Sequence, residues 1–179
     1  VCSSVSTSCS GVALMHAMEL ATNGDERAFR DLAALVRPVE SELPVGRGVQ
    51  LRVQAPAQCG PVAIDQLVLR QVAENLVSNA MKYAPGSDIE ISVRGSAPGF
   101  WQLLVEDRGP GIPVQQQRKL FKPFTRLGEV DPDDDMSSGL GLSLARQIVA
   151  NAGGQLWYED RDGGGARFLI ELPEAAERG

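Results

Sequence analysis

Apolar residues recur along this chain with two periods, and the changes of period mark out its elements. Leu69, Val72, Ala73, Leu76, Ala80 and Tyr83 follow the i, i+3, i+4, i+7 spacing of a buried helical stripe. That spacing predicts a helix over about 62–83. A second stripe, Phe29, Leu32, Ala33, Val36 and Val39, predicts a helix over about 26–43, with Pro38 expected to kink or break it. Shorter helices are expected at 12–21, ending near Asn23-Gly24, and from Gly139-Leu140-Gly141 to Asn151, stopped by Gly153-Gly154. Alternation of period two predicts strands at 49–53, 89–93, 101–105, 155–158 and 166–172. The second and third are joined through 95–99 and the last two around 160–165. Loops or turns are expected at 56–61 and 84–87, and a broken region around Phe121 and Phe124. Residues 1–11 are small and polar and are expected to be disordered or tag-like, and the chain is expected to fray from Pro173. There is no internal repeat. Helices mixed with strands, and hairpins with crossovers, make an α/β two-layer sandwich.

The face of the 62–83 helix opposite its stripe carries Gln71, Asn75, Asn79 and Lys82, one turn after another. Asparagine is a mediocre helix former because its side chain competes for backbone hydrogen bonds. Two of them in a strong helix suggest a task beyond folding. An amide oxygen is a hard ligand suited to magnesium, and a lysine beside it suits phosphate. The face therefore points to a magnesium–nucleotide site.

Composition narrows the classes. A net charge of −6 argues against a nucleic-acid or anionic-membrane surface. Five acids fall in 129–135, so the rest of the surface is nearly balanced. No apolar run reaches the ~20 residues of a bilayer span, and no basic segment leads into an apolar one as in a signal peptide. Cys2, Cys9 and Cys59 form no CxxC pair, which fits a reducing cytosol better than a disulfide framework or a metal site. The chain begins with Val1 and reads as a fragment or an expressed piece.

Three further motifs carry chemistry. Glu106-Asp-Arg-Gly-Pro-Gly-Ile-Pro113 follows a strand, so Asp107 could accept a hydrogen bond from an exocyclic amine such as adenine N6. Gly109 and Gly111 would let a ligand approach the backbone; a tight turn with a solvated aspartate is the competing reading. In Lys119-Leu-Phe-Lys-Pro-Phe-Thr-Arg126, two aromatics three apart could plug a mobile segment or form an ordinary surface cluster. In Ser138-Gly-Leu-Gly-Leu-Ser-Leu-Ala145, glycines at a helix start expose N–H groups that favour an anion. That segment is neither a Walker motif nor a complete dinucleotide fingerprint.

In their order and spacing the four motifs resemble the N, G1, F and G2 boxes of the catalytic ATP-binding domain of bacterial sensor histidine kinases, over roughly residues 49–173. The resemblance implies a Bergerat-type sandwich, a mixed and mostly antiparallel sheet backed by helices, with ATP and Mg2+ held between the two-faced helix and a flexible lid. It implies Asn79 as magnesium ligand, Asn75 as support for metal-bound phosphate or its water, and Lys82 as a phosphate contact. Tyr83 would lie along base or ribose, and Asp107 would read the adenine amine. Gly109, Gly111 and Ile112 would shape the purine pocket, and Gly139, Leu140, Gly141 and Leu142 the phosphate end. Arg126 matches a lid arginine that reaches the terminal phosphate, and Phe121 and Phe124 would anchor the lid. Catalytic roles then fall to Asn75, Lys82 and Arg126. Phosphoryl transfer of this kind works by positioning and charge neutralisation. The nucleophile is an imidazole on a separate helical dimerisation domain, and a response regulator is the downstream partner.

That frame divides the chain into a start with a remnant of the dimerisation hairpin (1–24), a catalytic domain (25–173) and a tail (174–179). It places the chain in the cytoplasm, as the cytosolic part of a kinase that could be membrane-anchored. The parent would be a homodimer and this piece a monomer that does not phosphorylate itself. His16 is a poor phosphoacceptor, because no acid follows it and Ala21 stands where a proline belongs. Ser137 replaces the usual first glycine of the last box, and the acidic run is unusual beside a polyphosphate. Two other classes compete. Water-hydrolysing ATPases of this fold, of the gyrase, chaperone and mismatch-repair type, keep a glutamate base where Asn75 stands here, and Glu74 lies about 100° away around the helix. A non-catalytic nucleotide-binding module, or an anti-sigma-type serine kinase, fits less well with a full set of boxes and a long lid.

Overall fold

The computed structural model describes residues 30–43, 45, 48–125 and 139–175. In chain order its elements are β1 (Arg30–Asp31), α1 (Leu32–Val36), α2 (Val39–Glu42), β2 (Leu51–Gln54), β3 (Pro61–Val62), α3 (Gln66–Tyr83), β4 (Ile89–Ala97), β5 (Phe100–Asp107), α4 (Val114–Gln117), α5 (Gly141–Asn151), β6 (Gln155–Asp160) and β7 (Ala166–Pro173). The main sheet has the order β2-β4-β5-β7-β6. Its β2–β4 pair is parallel and the other three pairs are antiparallel. A parallel neighbour needs a crossover, and α3 lies in the one from β2 to β4. The result is the mixed, helix-backed sheet expected.

One face of the sheet supplies Ile89, Ile91 and Val93 from β4, Leu103 and Val105 from β5, and Phe168, Ile170 and Leu172 from β7. The stripe of α3 (Leu69, Val72, Leu76, Ala80) and Ala145, Ile148 and Val149 of α5 complete a single cluster with them, and Ala73 of the stripe is also buried. Leu104 and Leu169, register partners across β5 and β7, are also buried but lie outside that cluster. Burial of both faces accounts for the unbroken apolar run in β5.

Several boundaries differ from expectation for local reasons. The 26–43 helix is two short helices preceded by a strand. Arg30–Asp31 pairs with β3, and the Asp31 carboxylate caps α1, accepting from Ala33 N at 2.8 Å and Cys59 N at 3.2 Å. The break falls at Arg37-Pro38, where proline starts α2 instead of continuing α1. Leu32, Ala33, Val36 and Val39 are nonetheless buried, and so is Leu35, which is off the expected stripe. The long helix begins at Gln66, not near 62, because Val62 is in β3 and Asp65 caps the helix through Leu67 N (2.8 Å) and Val68 N (3.2 Å). The chain does not fray at Pro173. Glu174 N donates to Gly99 O at 2.8 Å and Ala175 N to Pro61 O at 2.7 Å, which ties this end to the hairpin tip and to β3. The 12–21 helix, His16, Cys2, Cys9, Phe29, Arg126, Ser137 and the acidic run lie outside the described residues.

Candidate nucleotide site

A pocket opens between α3, the end of β5, the loop after it, α5 and β7. It is lined by Asn79, Ala80, Tyr83, Asp107, Gly111, Ile112, Leu142, Ala166 and Phe168. Residues drawn from three of the four motifs thus meet in one cavity.

At its closed end Asp107 is 6% exposed. Its Oδ1 accepts from Gly109 N at 2.9 Å and from Ala166 N at 3.3 Å, so the carboxylate is oriented before any ligand arrives. Gly109 must be glycine because a Cβ there would stand 2.3 Å from the Ala84 Cβ. Gly111 has φ +74°, which side chains rarely adopt. Beyond the loop, the Tyr158 hydroxyl accepts from Ile112 N at 3.2 Å and donates to Asp160 Oδ1 at 2.7 Å. Burial, then the bond to Asp160, push this phenol up to about 12.

The other end is less finished. The Asn75 Nδ2 is buried and has no hydrogen-bond partner. Its amide packs against the first residue of α5, where a Cβ on Gly141 would lie 2.3 Å from Asn75 Oδ1. Leu140 precedes that helix without any side-chain cap, so first-turn N–H groups are left for another acceptor. Lys82 is exposed, its ammonium 5.6 Å from the centroid of the Tyr83 ring. Glu74 accepts from Arg70 Nε at 2.9 Å, and Arg70 also pairs with Glu42 of α2. Glu74 is therefore held on the α2 side, and it does not line the pocket.

Phe121 and Phe124 part company. Phe121 is half-buried, edge-on to Phe168 with centroids 6.5 Å apart, and the Arg146 guanidinium lies 5.0 Å above its ring. Phe124 is 77% exposed at φ +60° and contributes nothing to the core cluster. Of the two aromatics, only Phe121 packs against the core. The reason is local: Phe124 follows Lys122-Pro123 in a left-handed turn whose backbone, not its ring, faces Gly139. A Cβ on Gly139 would stand 2.9 Å from the Phe124 carbonyl carbon, so the described stems on either side of 126–138 touch.

Sequence reasoning missed Ala80, Tyr158, Gly165, Ala166 and Phe168. A signal was available in Gly163-Gly164-Gly165, which was read only as a turn. Gly165 has φ +108°, and a Cβ there would fall 2.0 Å from Asp107 O, so this glycine lets the start of β7 approach the end of β5. Among the described residues no group of three or more His, Cys, Asp or Glu could hold a metal ion, and no helix is long and apolar enough to cross a membrane.

A mixed sheet backed by helices, with a pocket floored by a buried aspartate, defines the class. The chain belongs to the histidine kinase-, DNA gyrase B-, and HSP90-like ATPase family, whose model matches residues 64–176. Within it the relatives are sensor kinases. The chain is 32% identical over 152 residues to the adaptive-response sensory kinase SasA of Prochlorococcus marinus, covering 84% of this chain and 40% of that protein. It is 36% identical over 135 residues to the sensor protein KdpD of Rathayibacter rathayi, covering 75% and 15%. Among solved structures it resembles the histidine kinase domain of the E. coli osmosensor EnvZ, with 30% identity, TM-score 0.61, and coverage of 87% of this chain and 95% of that one. The chain is an ATPase catalytic domain of the histidine kinase type, and it spans under half the length of the curated relatives it matches.

Proposed function

We infer that this chain holds Mg-ATP and presents its γ-phosphoryl group to a histidine on a helical dimerisation domain, in two-component signalling. The observation that carries the reading is Asn75. An amide with a buried, unsatisfied Nδ2 stands where a water-activating carboxylate would be needed, while Glu74 is turned away and bonded to Arg70. A buried donor without a partner costs about 1–3 kcal/mol, so a phosphate oxygen or a metal-bound water there would relieve it.

ATP supplies the transferable phosphoryl group, and the chain supplies position. Asp107 accepts the adenine amine, with Gly111, Ile112 and Leu142 closing on the ring. Tyr83 lies along the base or ribose. The Asn79 amide oxygen is the hard ligand suited to Mg2+. Lys82, the first turn of α5 and Arg126 meet the phosphates and offset their charge. Proton abstraction from water has no group to perform it at the Asn75 position, so the acceptor is the imidazole of the partner domain. The reading makes that dimerisation domain and a response regulator the partners, the parent kinase a homodimer, and the cytosol the place of action.

The test has two arms. Calorimetry should find ATP binding that depends on Mg2+. With ATP labelled at its γ-phosphate, label should appear on an added histidine-bearing helical hairpin and not on this chain alone. Self-labelling would overturn the separate-acceptor reading, and steady phosphate release to water would favour a hydrolase.

A further inference from the structure

The loop between β5 and α4 forms one wall of the pocket through Gly111 and Ile112. Among the described residues, no backbone–backbone hydrogen bond ties residues 108–112 to the rest of the molecule. Side chains hold the loop instead. At its start, Arg108 N donates to Ser87 Oγ at 2.8 Å and Gly109 N to Asp107 Oδ1 at 2.9 Å. At its end, a closed ring of bonds surrounds Ile112. The Ile112 N–H donates to Tyr158 Oη (3.2 Å), whose hydroxyl donates to Asp160 Oδ1 (2.7 Å). The Gln117 side-chain amide donates both to Asp160 Oδ1 (3.1 Å) and to Ile112 O (2.7 Å). Both polar groups of the Ile112 peptide are thus fixed from outside the loop. A Cβ on Gly111 would lie 3.8 Å from the same hydroxyl, so the tyrosine also backs the position where the chain turns with positive φ. The Tyr158 ring is itself fixed, edge-on to Phe168 with centroids 5.5 Å apart, and Phe168 lines the pocket.

We propose that Tyr158, supported by Asp160 and Gln117, is a positioning residue for the base of the nucleotide: its hydroxyl fixes the Ile112 backbone and with it the adenine-facing wall. The proposal rests on the nucleotide reading of the pocket. The tyrosine touches the wall and not the phosphate end, so its effect is confined to ligands that carry a base. Donor and acceptor senses agree around the ring only while the phenol is protonated, and its raised pKa keeps it so through neutral pH.

Tyr158→Phe deletes the hydroxyl and keeps the ring against Phe168. On the full chain, calorimetry should show the Kd for Mg-ATP rising about five- to tenfold, while the Kd for magnesium tripolyphosphate, which has no base, stays within twofold. Amide exchange at Ile112 should quicken at least tenfold, with Leu103 in the core unchanged. Asp160→Ala, on an exposed side chain, should repeat the pattern at two- to threefold and keeps the test open should Tyr158→Phe fail to fold. Unchanged ATP affinity in the variants, or equal losses for ATP and tripolyphosphate, would overturn the proposal. Failure of the unaltered chain to bind ATP would instead sink the nucleotide reading itself.

Discussion

At the proposed base end of the pocket, Asp107, Gly109 and Ala166, and beside them Ile112, Tyr158 and Asp160, are held by hydrogen bonds of 2.7–3.3 Å. At the proposed phosphate end, Asn75 Nδ2 is buried without a partner among the described residues and Leu140 gives α5 no side-chain cap. On the proposed reading the base end is complete as it stands, because adenine is neutral and would need only a shaped, oriented acceptor. On the same reading the phosphate end is left with donors unmet, because its ligand would bring several negative charges and a cation. Satisfying those donors internally would stabilise the chain and blunt its affinity. The contrast teaches that preorganisation here means different things at the two ends: fixed geometry at one, unmet hydrogen-bonding capacity at the other.

If that division is right, the largest effect belongs to the phosphate end. Asn79→Ala should weaken Mg-dependent ATP binding at least a hundredfold, roughly 3 kcal/mol, without lowering Tm. Unchanged affinity by calorimetry would show that the metal is held elsewhere. The base end should answer with stability as well as affinity. In Gly165→Ala a Cβ would press on Asp107 O at a residue with φ +108°. About 2–3 kcal/mol of stability should be lost in urea unfolding, and ATP affinity should fall with it. A silent Gly165→Ala would mean that the β7 approach does not shape the site.

Asp107→Asn probes the same end more gently. Oδ1 can keep its bonds to Gly109 N and Ala166 N, but an amide NH2 would replace the other oxygen and face the adenine amine donor to donor. ATP affinity should fall about thirtyfold, roughly 2 kcal/mol, and the preference for ATP over GTP should narrow, since guanine offers an oxygen at that position. An unaltered preference would remove Asp107 as the base reader.

Legibility in the sequence divides along the same line. The polar face of α3 was readable because Asn75, Asn79 and Lys82 are close in sequence and their spacing on one helix fixes their side. Asp107 and Gly111 were readable because they sit in one strand-loop motif. Ala166 of the lining was not, nor were Tyr158 and Gly165 behind it, since the β5–β7 and β6–β7 pairing registers bring them there, which no local pattern reveals. The 26–43 helix breaks up for a related reason: Leu32, Ala33, Val36 and Val39 of its stripe are buried, but pairing of Arg30–Asp31 with β3 is a long-range contact. Phe121 and Phe124 looked equivalent three residues apart, and only the left-handed turn at Phe124 separates them.

The smallest expected effect isolates the hydroxyl that completes the base end. The Tyr158 phenol is raised from 10.0 to about 12, first by burial and then by the Asp160 carboxylate. A folded-state value above the unfolded one means that the fold prefers the protonated phenol. That contribution is therefore fully present below pH 10 and is lost as pH rises through 12. Because the ring is only half-buried, solvent screening reduces the contribution to about 1 kcal/mol. Urea unfolding of the unaltered chain should weaken between pH 10 and 12 more steeply than that of Tyr158→Phe, which has no proton to lose. Lysines titrate in the same window in both proteins, so the difference between the two curves belongs to this hydroxyl. Parallel curves would mean that the Ile112–Tyr158–Asp160 ring is open in solution, and the contrast between a finished base end and an unfinished phosphate end would lose its sharpest member.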